Sequence, residues 1–256
     1  MNTDAYLARI GYAGPRTPND YTLAALQRAH LLAVPFENLD IGRGRPLALD
    51  ADGLFAKIVT RRRGGFCYEL NGLFARLLRA LGYDVVLLAA GVARGDGSFG
   101  PEFDHMTLLV RPPQGQAGPW LVDVGFGDSF AQPLRLEANA VQTQDGRAYR
   151  LEEAAGRWTL FERQAGSAPW EPQYTFTLQP HNFSDYDGMC HYHQTSPDSH
   201  FTQGRVCSLA TPAGRVTLSG MRLIRTEHGQ RSEHTLPSES AVTDALHRHF
   251  GITLDD

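Results

Sequence analysis

The sequence predicts an α+β chain whose pattern changes twice along its length, and three observations carry that prediction. Up to Gly82 the apolar residues recur at helical spacing. From Tyr83 to Leu178 they alternate in short runs rich in β-branched and aromatic residues, and the last third mixes three strand-like runs with one helix. These shifts suggest regions at 1–82, 83–183 and 184–256: a helical bundle, an antiparallel sheet or barrel, and a connector leading into a smaller mixed α/β unit.

In the first region Asp4 to Ile10 reads as a short helix and Gly11 to Pro18 as a break. Tyr21 to Ala33 reads as a second helix that Asn19 or Asp20 can cap and Pro35 ends. After the Gly- and Pro-punctuated segment VPFENLDIGRGRPLALD, Asp52 starts a helix over Leu54 to Thr60. The strand-like runs of the second region are Tyr83 to Val92, His105 to Val110, Trp120 to Gly125, Arg147 to Leu151, Trp158 to Arg163 and Tyr174 to Leu178. Asn182 to Phe201 is aromatic and histidine-rich with weak periodicity, an irregular or helical connector. RVCSLA, RVTLS and RLIRTE follow as strands, then a helix from about Glu239 to Phe250.

Composition narrows the function. The chain has 256 residues and a formal net charge of -4, with no long basic run, which disfavours nucleic acid and membrane surfaces and favours small-molecule partners. Three cysteines without a CxxC pair argue against a disulfide framework or a zinc site and suit a reducing cytoplasm. His181, His191, His193 and His200 cluster without the helical spacing of a zinc motif, so no metal is expected. The N-terminus lacks a secretory pattern and no window approaches 18 uninterrupted apolar residues, so the expectation is a soluble, cytoplasmic protein.

The chemistry concentrates in RRRGGFCYELNGLFARLLRALG, residues 61–82. Phe66, Leu70, Leu73, Phe74, Leu77, Leu78 and Leu81 make one apolar stripe, and Gly82 stands where a helix C-terminus wants a glycine. Cys67 falls in the first turn with its sulfur inward. The helix N-terminus and Arg61, Arg62 and Arg63 upstream are expected to stabilise a thiolate there, while Gly64-Gly65 allows close approach of a substrate or another loop. An inward cysteine on a core helix is more often inert packing, so a histidine and an orienting carboxylate must complete the set.

Two strands supply them. In DHMTLLV, His105, Thr107 and Leu109 share a face; in WLVDVGFG, Leu121, Asp123 and Gly125 share one. The polar loop RPPQGQAGP between them permits antiparallel pairing, and setting Val110 against Trp120 puts His105 and Asp123 on one diagonal, roughly 7 to 8 Å between Cα atoms. A slip of one residue separates them onto opposite faces. A carboxylate within an apolar strand needs a partner, and His105 is the available one.

At this point RGGFCYELN around Cys67, FDH at His105 and VDVGFG at Asp123, in that order, resemble the arylamine N-acetyltransferase family. PFEN at Pro35 to Asn38 and SPDSHF at Ser196 to Phe201 add to the likeness, which spans nearly the whole chain. The resemblance implies an N-terminal helical bundle, a central antiparallel β-barrel and a C-terminal α/β lid, around a papain-like or transglutaminase-like core. It implies Cys67, His105 and Asp123 as catalytic residues and Phe36, Val92, Phe126 and Phe201 as lining for acyl group and amine. Acetyl-CoA would be co-substrate and an arylamine or arylhydrazine the acceptor; Thr107 and Gly127 are CoA contacts by proximity. The rival from another enzyme class is a cysteine hydrolase or transglutaminase-like amidase, and a binding protein on the same fold would lack a triad member. The chain has no GxxxxGK[ST], and GFG after a strand is far short of a dinucleotide fingerprint.

Overall fold

The protein was analysed as a computed structural model, which describes residues 1–113, 117–164 and 168–254. Residues 114–116 of the RPPQGQAGP loop lie outside the described residues. Helices α1 (Thr3–Arg9) and α2 (Asp20–Ala33) open the chain, and the Asn19 side chain caps α2 by accepting from the Thr22 N–H. Strand β1 (Phe36–Glu37), helix α3 (Leu39–Gly42), helix α4 (Ala51–Phe55) and the long helix α5 (Cys67–Ala80) follow. Helix α4 begins earlier than the sequence suggests because Asp50, not Asp52, caps it by accepting from Gly53 N–H; it continues as a π-helical turn, Ala56–Thr60.

Eight strands then form one antiparallel sheet: β2 (Asp84–Val92), β3 (His105–Arg111), β4 (Trp120–Val122), β5 (Leu134–Arg135), β6 (Val141–Gln144), β7 (Arg147–Ala154), β8 (Arg157–Gln164) and β9 (Glu171–Thr177). Their order is β5-β4-β3-β2-β9-β8-β7-β6. The two end strands meet through side chains: Gln142 and Gln144 on β6 each accept from a backbone N–H (Arg135, Gln132) and donate to the same residue's carbonyl, at 2.8–2.9 Å. The sheet is thereby a nearly closed barrel. Leu88, Leu109, Leu121, Leu134, Leu151, Leu160 and Tyr174 fill its interior, and the opposite faces of β2 and β3, through Val85, Leu87, Met106 and Leu108, pack with Phe66, Leu70, Phe74 and Leu77 of the helical layer.

The connector is helical: a 3₁₀ turn (Phe183–Tyr186), α6 (Asp187–Thr195) and α7 (His200–Gln203). Strands β10 (Val206–Thr211), β11 (Gly214–Ser219), β12 (Arg222–Glu227) and β13 (Gln230–Thr235) make a second antiparallel sheet. Its first strand is β1, and α8 (Glu239–Phe250) packs on it through Val242, Leu246 and Phe250. Among the described residues no helix is long and apolar enough to cross a membrane.

Candidate active site

Cys67 occupies the first position of α5, directly after Phe66, whose N–H donates to Glu69 Oε2 at 3.1 Å. The loop before it is anchored from beneath by a buried ion network. Lys57 Nζ lies 2.9 Å from Asp40 and 2.8 Å from Glu69, while Arg63 reaches Glu37 at 2.8 Å and Asp40 at 3.0 Å. Gly64 is required here, because a Cβ would stand 2.0 Å from the Pro35 carbonyl oxygen; the glycine pair admits another loop.

That network corrects one expectation. Arg63 faces two carboxylates, and Arg61 and Arg62 are exposed, so the arginines are not directed at the sulfur. Cys67 is buried, and burial pushes its thiol well above the ordinary range, with Asp123 and Asp104 adding to the rise against a hydrogen bond from the Met106 backbone. Burial thus disfavours the thiolate, and ionisation of the sulfur calls for a base.

His105 begins β3, and the observed register pairs Val110 with Trp120 and Leu108 with Val122, the pairing read from the sequence. Strand β4 ends at Val122, short of the predicted Gly125, because Asp123 Oδ1 accepts the Gly125 N–H at 2.9 Å and turns the chain out of the ladder. The carboxylate still reaches its partner: His105 Nε2 lies 2.6 Å from Asp123 Oδ2, with both side chains buried. Burial pushes the Asp123 carboxyl up. The adjacent His105 and the hydrogen bonds from His105, Asn71 and Gly125 outweigh it, so the group stays ionised below its usual range.

Asn71 is the residue whose role the sequence reading missed. Its Nδ2 donates to Met106 O at 2.6 Å and Asp123 Oδ1 at 2.9 Å, while its Oδ1 accepts Val124 N–H at 2.9 Å. One side chain thus ties the cysteine helix to β3 and to the turn holding Asp123. The available signal was its position four residues after Cys67 on the same helix face. Gly125 completes the closure, since a Cβ there would stand 2.8 Å from Cys67 Cα.

A cleft of about 720 Å³ opens over these groups, lined by Phe36, Cys67, Val92, His105, Phe126 and Phe201 together with Asp104, His200, Arg205 and Arg222. The residues expected at the site therefore converge, with Asp123 behind His105. Phe126 packs 5.2 Å from the His105 ring and 5.1 Å from Tyr174. Thr107 corrects the expectation of a CoA contact: it points into the barrel, fully buried, with Oγ1 3.2 Å from Val122 O and 3.3 Å from Tyr174 OH, because residue 107 faces the filled interior. Gly127 turns the chain at φ +94 beside the Phe36 ring and is not among the cleft-lining residues. All three cysteines are free and buried, and among the described residues no group of three or more His, Cys, Asp or Glu side chains could hold a metal ion.

Comparison with known proteins gives this geometry its setting. Residues 21–256 match the family model described as N-acetyltransferase. The chain is 40% identical to an arylamine N-acetyltransferase of Mycolicibacterium smegmatis, over 100% of its own length and 94% of the relative's. The solved structure of the M. smegmatis enzyme superposes with a TM-score of 0.92 at 39% identity, covering 99% of this chain and 93% of that one. The Mycobacterium marinum arylamine N-acetyltransferase, solved in complex with CoA, superposes with a TM-score of 0.90 at 36% identity, covering 98% and 93%. A cysteine at a helix start, a buried histidine–aspartate pair and relatives matched from end to end all lead to one assignment: the chain belongs to the arylamine N-acetyltransferase family.

Proposed function

We propose that the protein transfers an acetyl group from acetyl-CoA to the nitrogen of an arylamine or arylhydrazine through an acetyl-Cys67 intermediate, with ping-pong kinetics. The observation that carries this reading is the buried His105–Asp123 pair at 2.6 Å opening onto the same cleft as Cys67. Asp123 fixes the imidazole through Nε2 and leaves Nδ1 to take the Cys67 proton. The thiolate attacks the thioester carbonyl, the bond from acyl carbon to CoA sulfur breaks, and the imidazolium returns the proton to the departing thiolate. In the second half-reaction the amine nitrogen attacks acetyl-Cys67, His105 accepts its proton, and the cysteine thiol is regenerated. The Cys67 N–H, at a helix start where donors lack intrahelical acceptors, is one donor for the oxyanions.

In this reading residues up to 82 supply the nucleophile, residues 83–183 the base and its orienter, and residues 184–256 roof the cleft. Charge supports a polyanionic donor: residues 205–239 hold five arginines against three glutamates, a local balance of +2 in a chain of -4 overall, and Arg205 and Arg222 stand on the cleft rim, each sharing its charge with one of those glutamates, Glu239 and Glu233.

The test is intact-protein mass spectrometry after mixing with acetyl-CoA, beside Cys67→Ala, followed by anisidine. An acetyl adduct absent from the variant and discharged onto the amine is the expected result. Clearance by water as fast as by amine would select the cysteine hydrolase instead, and a protein that takes no acyl group would overturn both.

A further inference from the structure

Asp104 takes no proton in the chemistry above, though its charge adds to the rise of the Cys67 thiol, and it lines the cleft beside His105. Neighbouring residues of an extended chain ordinarily face opposite ways. Here Phe103, at φ +69, turns the chain just before β3, and both side chains reach the cleft. Tyr68 anchors that turn by donating to the Phe103 carbonyl at 2.6 Å.

The Asp104 carboxylate is held loosely. Its Oδ1 lies 3.3 Å from His193 Nε2, outside good hydrogen-bond geometry, and its Oδ2 accepts the Val92 N–H at 3.4 Å. A carboxylate offers about four acceptor positions, so two long contacts leave capacity for a ligand, and the side chain is 17% exposed. Burial pushes the group up, but His193, the Val92 N–H and the neighbouring His105 hold it below its usual range, so it is an anion at neutral pH. His193 cannot swing away: it is buried, its Nδ1 lies 3.0 Å from Ser199 Oγ, and its ring packs 5.1 Å from Phe201. His200, also in the cleft, has its pKa lowered by burial and adds no fixed positive charge, while Arg205 and Arg222 already face Glu239 and Glu233.

We propose that Asp104 is a specificity-determining residue for the acceptor. Its fixed negative charge disfavours arylamines that carry a carboxylate. Its free acceptor positions favour acceptors with an N–H donor beyond the reacting nitrogen, as in an aryl hydrazide. The proposal rests on the acyl-transfer reading above and concerns only its second half-reaction.

The experiment measures kcat/KM with acetyl-CoA for benzoic hydrazide and 4-aminobenzoate, each relative to anisidine, in the wild type, Asp104→Asn and Asp104→Glu, with acetylation of Cys67 followed by mass spectrometry in each. The expected result is a fall of about tenfold or more in the hydrazide-to-aminobenzoate ratio in Asp104→Asn, with Asp104→Glu retaining most of the wild-type ratio. Should Asp104→Asn not fold, Asp104→Ser removes the same charge and is read the same way. A ratio that stays within about twofold, or a uniform loss across all three acceptors, would reduce Asp104 to an anchor of the loop before β3 and overturn the proposal. A wild type that takes no acetyl group overturns the acyl-transfer reading itself, an outcome distinct from a wild type that acetylates but shows no ratio change.

Discussion

Two histidine–aspartate pairs each send one member to the same cleft, His105 from one and Asp104 from the other, and they are built differently. In the first, Asp123 is fully enclosed and accepts from His105 at 2.6 Å, from Asn71 at 2.9 Å and from Gly125 at 2.9 Å. In the second, Asp104 is partly open, and its contacts to His193 and Val92 are 3.3 and 3.4 Å long. A carboxylate with three short bonds on its about four acceptor positions is committed to orienting its histidine, whereas one with loose contacts can still answer a ligand. Saturation, more than the residue pair itself, separates the two roles.

The comparison breaks most sharply at the carboxylates. Asp123→Asn should lower kcat for acetyl transfer by about 10³-fold or more, because the histidine loses its orientation. His193→Gln should lower kcat less than about tenfold, since it acts through a residue outside the proton path. Steady-state kinetics with anisidine decides both, and equal losses would erase the distinction drawn here. Asn71→Ala comes next. It strands the Met106 carbonyl and Val124 N–H as well as one side of Asp123, and should destabilise the fold by about 2–3 kcal/mol in denaturant titration, given about 1–3 kcal/mol per unsatisfied buried group. Its kcat should fall along with stability.

On the rim, Arg205→Glu and Arg222→Glu should each raise KM for acetyl-CoA by about fivefold at low salt, an effect that shrinks as salt is added, while the uncharged donor p-nitrophenyl acetate is unaffected. Equal effects on both donors would separate these arginines from the CoA phosphates. The smallest effect concerns acid stability. The folded-state pKa of Asp123 is depressed, so its contribution to stability is present above the unfolded carboxyl value near pH 4 and is lost as pH falls through the lower folded value. Thermal unfolding of Asp123→Asn should therefore decline less steeply than that of the wild type below about pH 4.

How much of this was legible in the sequence depended on which signal each feature leaves. The register that brings His105 to Asp123 was readable because two apolar strands flank a polar loop, and an alternating pattern fixes which residues share a face. Helix α8 was readable from its period, and in the structure Gly251 ends it in a left-handed turn. Strand β13, QRSEHT, was missed because all six residues are exposed and no apolar alternation marks it. Strands β1 and β5 were missed because two residues carry no period. Arg63 misled for a different reason: a charge beside a cysteine in sequence says nothing of the carboxylates, distant in the chain, that claim it. The same blindness hid Asn71, whose partners come from two other segments, β3 and the turn after β4.

The seam of the barrel has a consequence for how copies of this protein meet one another. An open sheet edge is a row of free donors and acceptors that another chain can extend by adding a strand. Gln142 and Gln144 supply an amide donor and an amide acceptor apiece, which is what a neighbouring peptide would have offered, and so they occupy the outer edge of β5 and of the segment just before it. Replacing both glutamines would therefore do more than loosen a monomer. It would expose a template for strand addition and move the protein toward edge-to-edge aggregation.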